Sequence, residues 1–397
     1  MASKLQDLIN RLCPNGVEYR RLGEIATIER GNGLQKSDFT PSGIPCIHYG
    51  QLYTKLDTVA DSALTFVDEK TASNLKSLNH GDLLMAVTSE NVEDVCKCIA
   101  WLGNDGVVVG GHTAIIRHDQ NAKFLSYWFQ TQDFFAQKKK LAHGTKVIEV
   151  TPQRLTDILI PVPPLEVQSE IVQILDNFAE LTAELTAELE KRKKQYEHYR
   201  RASLCGVESS GLRVESSGWP MVKLGDVCEM KAGKAIAAVN ISAELDEQHP
   251  VACYGANGFR GYVAEPNQDG DHCIIGRQGA LCGNVCFASG RFYATEHAVV
   301  VTQLGKYDDR YLYHMLTEMD LNQYKSQGAQ PGLSVGKLEE LSIPLPPLAE
   351  QRRIVSILDR FDRLCNDLTS GLPAEIAARK KQYAYYRDKL LELRVGS

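Results

Sequence analysis

Part of this chain is written twice, and that constrains its fold more than any other feature. Residues 160–181, IPVPPLEVQSEIVQILDNFAEL, recur at 343–364 as IPLPPLAEQRRIVSILDRFDRL, at a constant spacing of 183. Ile160, Pro161, Pro163, Pro164, Leu165, Gln168, Ile171, Val172, Ile174, Leu175, Asp176, Phe178 and Leu181 all return in the second copy. RKKQYEHYR at 192–200 returns as RKKQYAYYR at 379–387, and Leu22-Gly23-Glu24-Ile25 is echoed by Leu224-Gly225-Asp226-Val227. An internal repeat sets the architecture of a chain. Between these edges, 26–140 and 228–325 share little beyond scattered glycines. A repeated frame around unlike interiors implies one architecture presenting two different surfaces.

The punctuation of each copy gives its local structure. The prolines at 161–164 close an extended segment and suit the start of a helix. Ile171, Leu175, Phe178, Leu185, Leu189, Tyr196 and Tyr199 then follow an alternating four-three spacing, which predicts a coiled-coil seam on one long helix. Continuous helix over 165–202 would be roughly 57 Å long at about 1.5 Å per residue. The second copy offers Ile354, Leu358, Phe361, Cys365 and Leu368 before Ser370-Gly371-Leu372-Pro373 interrupts it. A seam this long buries little against one small domain, so the two helices are expected to pair. The start of the chain, Lys4–Glu24, is expected to meet the end of the second helix and close a pseudo-twofold ring.

The interiors read as strand. Asp82–Val87, Gly106–Val109, Ala114–Ile116 and Ala298–Val301 are short, rich in β-branched residues and bounded by Gly, Asn or Asp. One helical stretch closes each interior, at Phe124–Gln137 and Asp309–Tyr324. The expected fold class is α+β: two mixed, strand-rich domains separated by two long antiparallel helices. The expected partition is 1–158 and 219–341 for the two domains, 159–205 and 342–397 for the two spacer helices, and 206–218 for a linker.

Composition excludes several classes. No apolar run is long enough to span a membrane, and the first residues lack the blocks of a signal peptide, so a cytoplasmic chain is expected. Eleven scattered cysteines fit reduced thiols better than a disulfide framework. Cys96 with Cys98, and Cys282 with Cys286, lack the second pair of a zinc site. The sequence holds no phosphate-cradling glycine loop ending in Lys-Ser/Thr and no Asn/Asp-Pro-Pro-aromatic run. Glu229 and Lys231, the closest approach to a nuclease pattern, read as surface. No catalytic residue, cofactor site or metal site is expected.

Polar loops suited to base edges remain. In the first half Lys36, Ser37, His48, Tyr49, Gln51, Ser89, Asn91, His112, Thr145 and Lys146 are the candidates. In the second half they are Tyr254, Asn257, Arg260, Arg277, Gln278, Asn284, His297 and Gln330. Arg pairs with guanine, and Asn or Gln with adenine, through two hydrogen bonds in the major groove. Neighbouring glycines let backbone approach a duplex.

Both IP[VL]PPL…Q…IV.ILD.F segments, each followed by RKKQY, resemble the central repeats of Type I restriction–modification specificity subunits. The Leu22-Gly23-Glu24 opening and the two variable regions match the same family, so the resemblance spans nearly the whole chain. It implies a subunit without an active site, each recognition domain reading one half of an interrupted double-stranded DNA target. It also implies docking of two modification subunits, which bind S-adenosylmethionine, and of motor–nuclease restriction subunits. A scaffold without a DNA role, or the specificity subunit of a fused restriction–modification system, are the alternatives.

Charge and one short repeat complete the reading. The net charge is −6, and residues 219–340 hold ten Lys and Arg against fifteen Asp and Glu. Counterion release therefore supplies little affinity there, and partners would provide much of the phosphate grip. Positive charge collects instead at 191–201, at net +5; a partner's acidic face or the helix dipole are the two explanations. Within the first spacer Thr182-Ala183-Glu184-Leu185 is followed directly by Thr186-Ala187-Glu188-Leu189, which reads as a unit that sets the length of a ruler.

Overall fold

The computed structural model describes residues 2–205, 219–279, 281–326 and 331–393; the expected linker 206–218 and Gln330 lie outside them. The chain is α+β and divides into two compact units, 1–184 with 376–397, and 185–375. The helix Leu165–Cys205 contributes its first part to one unit and its second part to the other.

In the first unit, alternation along strands separates two cores. Side chains of successive strand residues point to opposite faces. Leu84 and Ala86 of strand Leu83–Ala86 join Ile47, Leu78, Val107 and Ile115 between two sheets. Leu83 and Met85 face the other way, onto Phe124, Trp128, Ile171 and Leu175 of the helices. The main sheet runs Ala26–Arg30, Thr113–His118, Leu83–Ala86, Cys98–Trp101, Val59–Ala60; the second runs Phe39–Thr40, Thr65–Val67, Ile44–Ile47, Val107–Val109, Lys76–Leu78.

The second unit repeats this topology with unrelated residues. Its main sheet runs Cys228–Ala232, Ala298–Gln303, His272–Gly276, Val285–Ala288, every pair antiparallel, matching the first four strands of its counterpart. Its second sheet runs Gly258–Val263, Val251–Gly255, Arg291–Ala294, Gln268–Asp269. The one parallel pair of that sheet, Val251–Gly255 on Arg291–Ala294, corresponds to Ile44–Ile47 on Val107–Val109. The interiors thus share a fold where sequence shows no alignment.

The repeated motifs close each unit in the same way. Tyr19–Arg21 pairs with Leu159–Pro161, and Met221–Lys223 with Ser342–Pro344. The glycine of each Leu-Gly-acid opening lies against the other strand's approach: a Cβ on Gly23 would stand 2.7 Å from Thr156 Cβ, and one on Gly225 3.0 Å from Glu339 Cβ. Gln168 and Gln351 are fully buried. Their side-chain oxygens accept from the amides of Asn121 and Asp308 at 2.9 and 2.7 Å, and their amides donate to the Pro163 and Pro346 carbonyls, both at 2.8 Å.

A carboxylate pins the domain helix to the spacer in each unit. Asp176 accepts from Lys123 Nζ at 2.7 Å and Tyr127 hydroxyl at 2.6 Å. Asp359 accepts from Arg310 Nη2 at 2.6 Å and meets His314 Nε2 at 2.8 Å. Burial pushes the Asp359 carboxyl up, but the hydrogen bonds from Arg310 and His314 outweigh it and hold the group below its ordinary value.

The spacer helices pair inside each unit. In the second unit Tyr196 and Tyr199 stack on Phe361 at 6.1 and 5.5 Å, while Cys365 lies within the field of Arg192 and Lys193 further back along the long helix. That order makes the pair antiparallel. In the first unit Phe178 stacks on Tyr386 at 5.5 Å. The N-terminal helix Ala2–Leu12 packs Leu5, Leu8, Ile9 and Leu12 into the same core as Leu390 and Leu391. The start of the chain and the helix Leu372–Leu391 thus share one core.

Three expectations need correction. The helix expected at Phe124–Gln137 is two, Ala122–Trp128 and Gln132–Leu141, because Thr131 caps the second one through its hydroxyl, which accepts from Phe134 N at 3.3 Å. The stretch Asp309–Tyr324 is helical only to Glu318; Asp320 then takes a left-handed φ of 44°, and one tight turn follows at Leu321–Tyr324. Leu368 is no seam residue. The helix Leu348–Asn366 ends before it, Asp367 gathers the Thr369 and Ser370 amides and hydroxyls, and Leu368 is 80% exposed. The last helix resumes at Leu372–Leu391.

Candidate nucleic-acid interface

Most candidate residues fall at one end of each pair of sheets. In the first unit His48 sits where strand Ile44–Ile47 runs out. Its Nδ1 accepts from Gly50 N at 3.1 Å and so starts the short helix Tyr49–Thr54. Its ring lies 4.5 Å from that of Tyr49, which lies 4.8 Å from that of His112. Burial pushes the His48 pKa down, and Lys36 and His112 push it the same way. Lys36 and Ser37 are exposed on a one-turn helix. His112 Nδ1 meets Thr88 Oγ1 at 3.1 Å, and Ser89 pairs with Ile148. Thr145 and Lys146 are exposed in the loop that this pairing and the His143–Glu149 bridge close.

Two candidates in this unit are spent on local structure. Gln51 Oε1 accepts from His48 N at 3.0 Å while its amide donates to Thr65 Oγ1 at 3.2 Å. Asn91 bonds Asp94 twice at 2.7 Å, once by its amide and once by its oxygen, which fixes a turn. Asn and Gln favour such roles for the same reason they read adenine, a donor and an acceptor on one group.

In the second unit Tyr254 ends strand Val251–Gly255, half-buried against Phe292. Asn257 is exposed at the tip of the turn into Gly258–Val263, which carries the exposed Arg260. Backbone bonds gather the rest: Thr295 N donates to Tyr254 O, Arg277 N to His297 O and Gly276 N to Asn284 O, each at 2.9 Å. Arg277 Nε is buried without a hydrogen-bond partner among the described residues. Gln278 is exposed beside its bridge to Gly332. The exposed Asn284 has its amide 3.8 Å from Cys286 Sγ.

The two clusters occupy equivalent places. Val87 N donates to His112 O as Arg277 N does to His297 O, both at 2.9 Å. Val150 N bonds Val87 O as Leu333 N bonds Arg277 O. The Asn32–Gly110 bridge corresponds to Lys234–Thr295. Sequence reasoning passed over Asn32 and Lys234. The signal for both lay in carrying the Leu-Gly-acid alignment on to Gly31-Asn32 and Gly233-Lys234.

Other chemistry finds no support. Burial pushes the Cys96 and Cys228 thiols up to about 12 and that of Cys98 well above its ordinary value, which makes them poor nucleophiles and ligands. Glu229 and Lys231 form an exposed pair at 2.6 Å. Of the basic cluster at 191–201, Arg200 and Arg201 pair with Glu318 at 2.7 and 3.3 Å. Among the described residues no group of His, Cys, Asp and Glu could hold a metal, and no helix is long and apolar enough to cross a membrane.

A sheet pair and spacer helix are thus built twice, each ending in a polar cluster unlike the other's. The chain belongs to the family of the type I restriction modification DNA specificity domain, whose model matches residues 14–192 and 216–378. It is similar to the specificity subunit of the type I restriction enzyme EcoprrI of Escherichia coli, 48% identical over 237 residues. That match covers 59% of this chain and 56% of the relative. It is also similar to the EcoR124I/EcoR124II specificity subunit of Escherichia coli, 32% identical over 295 residues, covering 68% of this chain and 70% of the relative. The crystal structure of a Type-I restriction–modification S subunit from M. genitalium shares the fold, with a TM-score of 0.58, 18% identity and coverage of 96% of this chain and 98% of that one.

Proposed function

We propose that this chain reads a two-part, interrupted double-stranded DNA target, one part with each polar cluster, and docks the subunits that act on it. One observation carries the reading: two interiors of the same topology present dissimilar side chains at equivalent backbone positions on a repeated frame. Equivalent placement fits docking on the same polymer, and dissimilar side chains fit different base sequences. The expected domains 1–158 and 219–341 do the reading, and the helices at 159–205 and 342–397 space them. The chain has no active site of its own. Adenine methylation from S-adenosylmethionine belongs to two modification subunits, cleavage to motor–nuclease subunits, and the assembly works in the cytoplasm.

Of the candidates, Lys36, Ser37, Tyr49, Ser89, His112, Thr145 and Lys146 form the first reading surface, and Tyr254, Asn257, Arg260, Arg277, Gln278, Asn284 and His297, with Gln330 outside the described residues, the second. His48, buried with its Nδ1 bonded to Gly50 N, shapes its loop, as do Gln51 and Asn91. The acidic balance of 219–340 leaves the phosphate grip largely to the partners. The test is methylation sequencing of cells expressing this chain with its cognate modification subunit. A single motif of two half-sites around a fixed gap is expected; no motif, or a continuous one, overturns the reading.

A further inference from the structure

The unlike interiors keep one polar side chain in common at the reading surface. His112 and His297 each immediately precede the strand next to the sheet edge, Thr113–His118 and Ala298–Gln303. Their backbone register is the same. Gly31 N donates to Thr113 O at 2.9 Å and Gly233 N to Ala298 O at 3.0 Å, and both histidine carbonyls accept the equivalent amide, Val87 or Arg277, at 2.9 Å.

The glycines at this place have an internal reason to recur: a Cβ on Gly31 or Gly233 would stand 2.2 Å from the Gly110 or Ala294 carbonyl oxygen. The histidines have no such shared reason. The exposed His112 ring lies against Tyr49 and reaches Thr88 Oγ1. The His297 ring, 39% exposed, sets Nε2 3.2 Å from Glu296 Oε1. Its Nδ1 is buried with no hydrogen-bond partner among the described residues, a cost that a turn of the ring out of this position removes. The flanking positions have diverged: where the first unit has Thr88 and Asn32, the second has Gln278 and Lys234 in the same register.

Half-sites of different sequence share their sugar–phosphate backbone and the adenine offered for methylation, and that adenine is taken by the modification subunits. A side chain kept in both readers, with different neighbours inside the chain, serves what the half-sites share; the side chains that differ serve what they do not. From this we infer that His112 and His297 are the equivalent phosphate-contacting residues of the two half-sites. Each donates an imidazole N–H to a backbone phosphate and sets the register in which its diverged neighbours meet the bases. This rests on the proposed reading of DNA by the two clusters.

The test uses the full chain assembled with its modification subunits, and two duplexes, one bearing the methylated motif and one scrambled. His112→Ala and His297→Ala should each weaken binding to both duplexes by a similar factor, roughly three- to tenfold for one lost hydrogen bond, and leave the motif unchanged. His112→Gln and His297→Gln, which keep a donor, should recover most of the affinity. A motif relaxed or altered at one position makes the histidine a base reader and overturns the inference, as does unchanged affinity on both duplexes. Arg277→Ala and Gln278→Ala run alongside. If these too leave motif and affinity intact, the proposed interface itself is wrong.

Discussion

Removing the Asp359 carboxylate should loosen the second unit's domain helix from its spacer and leave the first unit untouched. Asp359→Ala takes away the partner of Arg310, bonded at 2.6 Å through Nη2 and 3.2 Å through Nε, and of His314, bonded at 2.8 Å. His314 is 1% exposed, so its Nε2 is left without water or protein. Breaking a fully buried ion pair from one side costs about 3–5 kcal/mol. Here Asp359 and Arg310 are each more than a quarter exposed, and Arg310 keeps Asp362 at 3.8 Å and the Phe287 and Tyr313 rings at 4.8 and 4.7 Å. The expected cost is therefore about 2 kcal/mol, near the value for a charged hydrogen bond. At 1.4 kcal/mol per tenfold, amide exchange of Asp309–Glu318 through the corresponding local opening should speed up about 30-fold. Hydrogen-exchange mass spectrometry reads this directly, with Ala122–Trp128 as the internal control and Asp176→Ala as the converse experiment. Unchanged protection of Asp309–Glu318, or an equal rise in both helices, would refute the argument.

Three further outcomes are expected. Arg277→Ala should weaken recognition by about 1–3 kcal/mol and relax the motif in one half-site only; equal loss on every duplex would mark a phosphate contact. A third Thr-Ala-Glu-Leu unit after Leu189 lengthens the long helix by about 6 Å with a net turn of roughly 40°, close to the turn of one added base pair of B-DNA; methylation sequencing should show both half-sites kept and the gap longer by one base pair. Burial pushes the His314 pKa down against the opposing pull of Asp359, so its folded value lies below the unfolded value of about 6.5. Its contribution is then full above that pH and is lost as pH falls toward the folded value; between pH 7 and pH 5 the wild type should lose more thermal stability than His314→Asn, and equal losses would count against it.

The frame was legible because its determinants are local in sequence. The prolines at 161–164 and the four-three apolar spacing lie within a few turns of one another, and the same string returns 183 residues later. The common topology of the interiors was not, because strand pairing is set by partners far apart: Ala26–Arg30 pairs with Thr113–His118, and Ile44–Ile47 with Val107–Val109. What the pairing demands is alternation and β-branched bulk, which many sequences satisfy, so 26–140 and 228–325 keep one fold without one sequence. The proposed reading surface was legible as composition but not as geometry. Arg277, Gln278 and His297 reach one surface through backbone bonds that no spacing announces, while Gln51 and Asn91, of the same chemistry, close turns instead.

The division of the long helix between two units has a consequence for synthesis. Residues 185–375 are contiguous, so that unit has every residue it needs soon after position 375 leaves the ribosome. The unit begun first is finished last: Leu5, Phe178 and the Ala122–Trp128 helix belong to a core that also takes Tyr383, Leu390 and Leu391. Domains emerging early usually fold early. Here the first-made half must wait until the ribosome has passed the second-made half and delivered the helix Leu372–Leu391. A stop codon near position 375 would thus spare the half nearest to it and cripple the half furthest away.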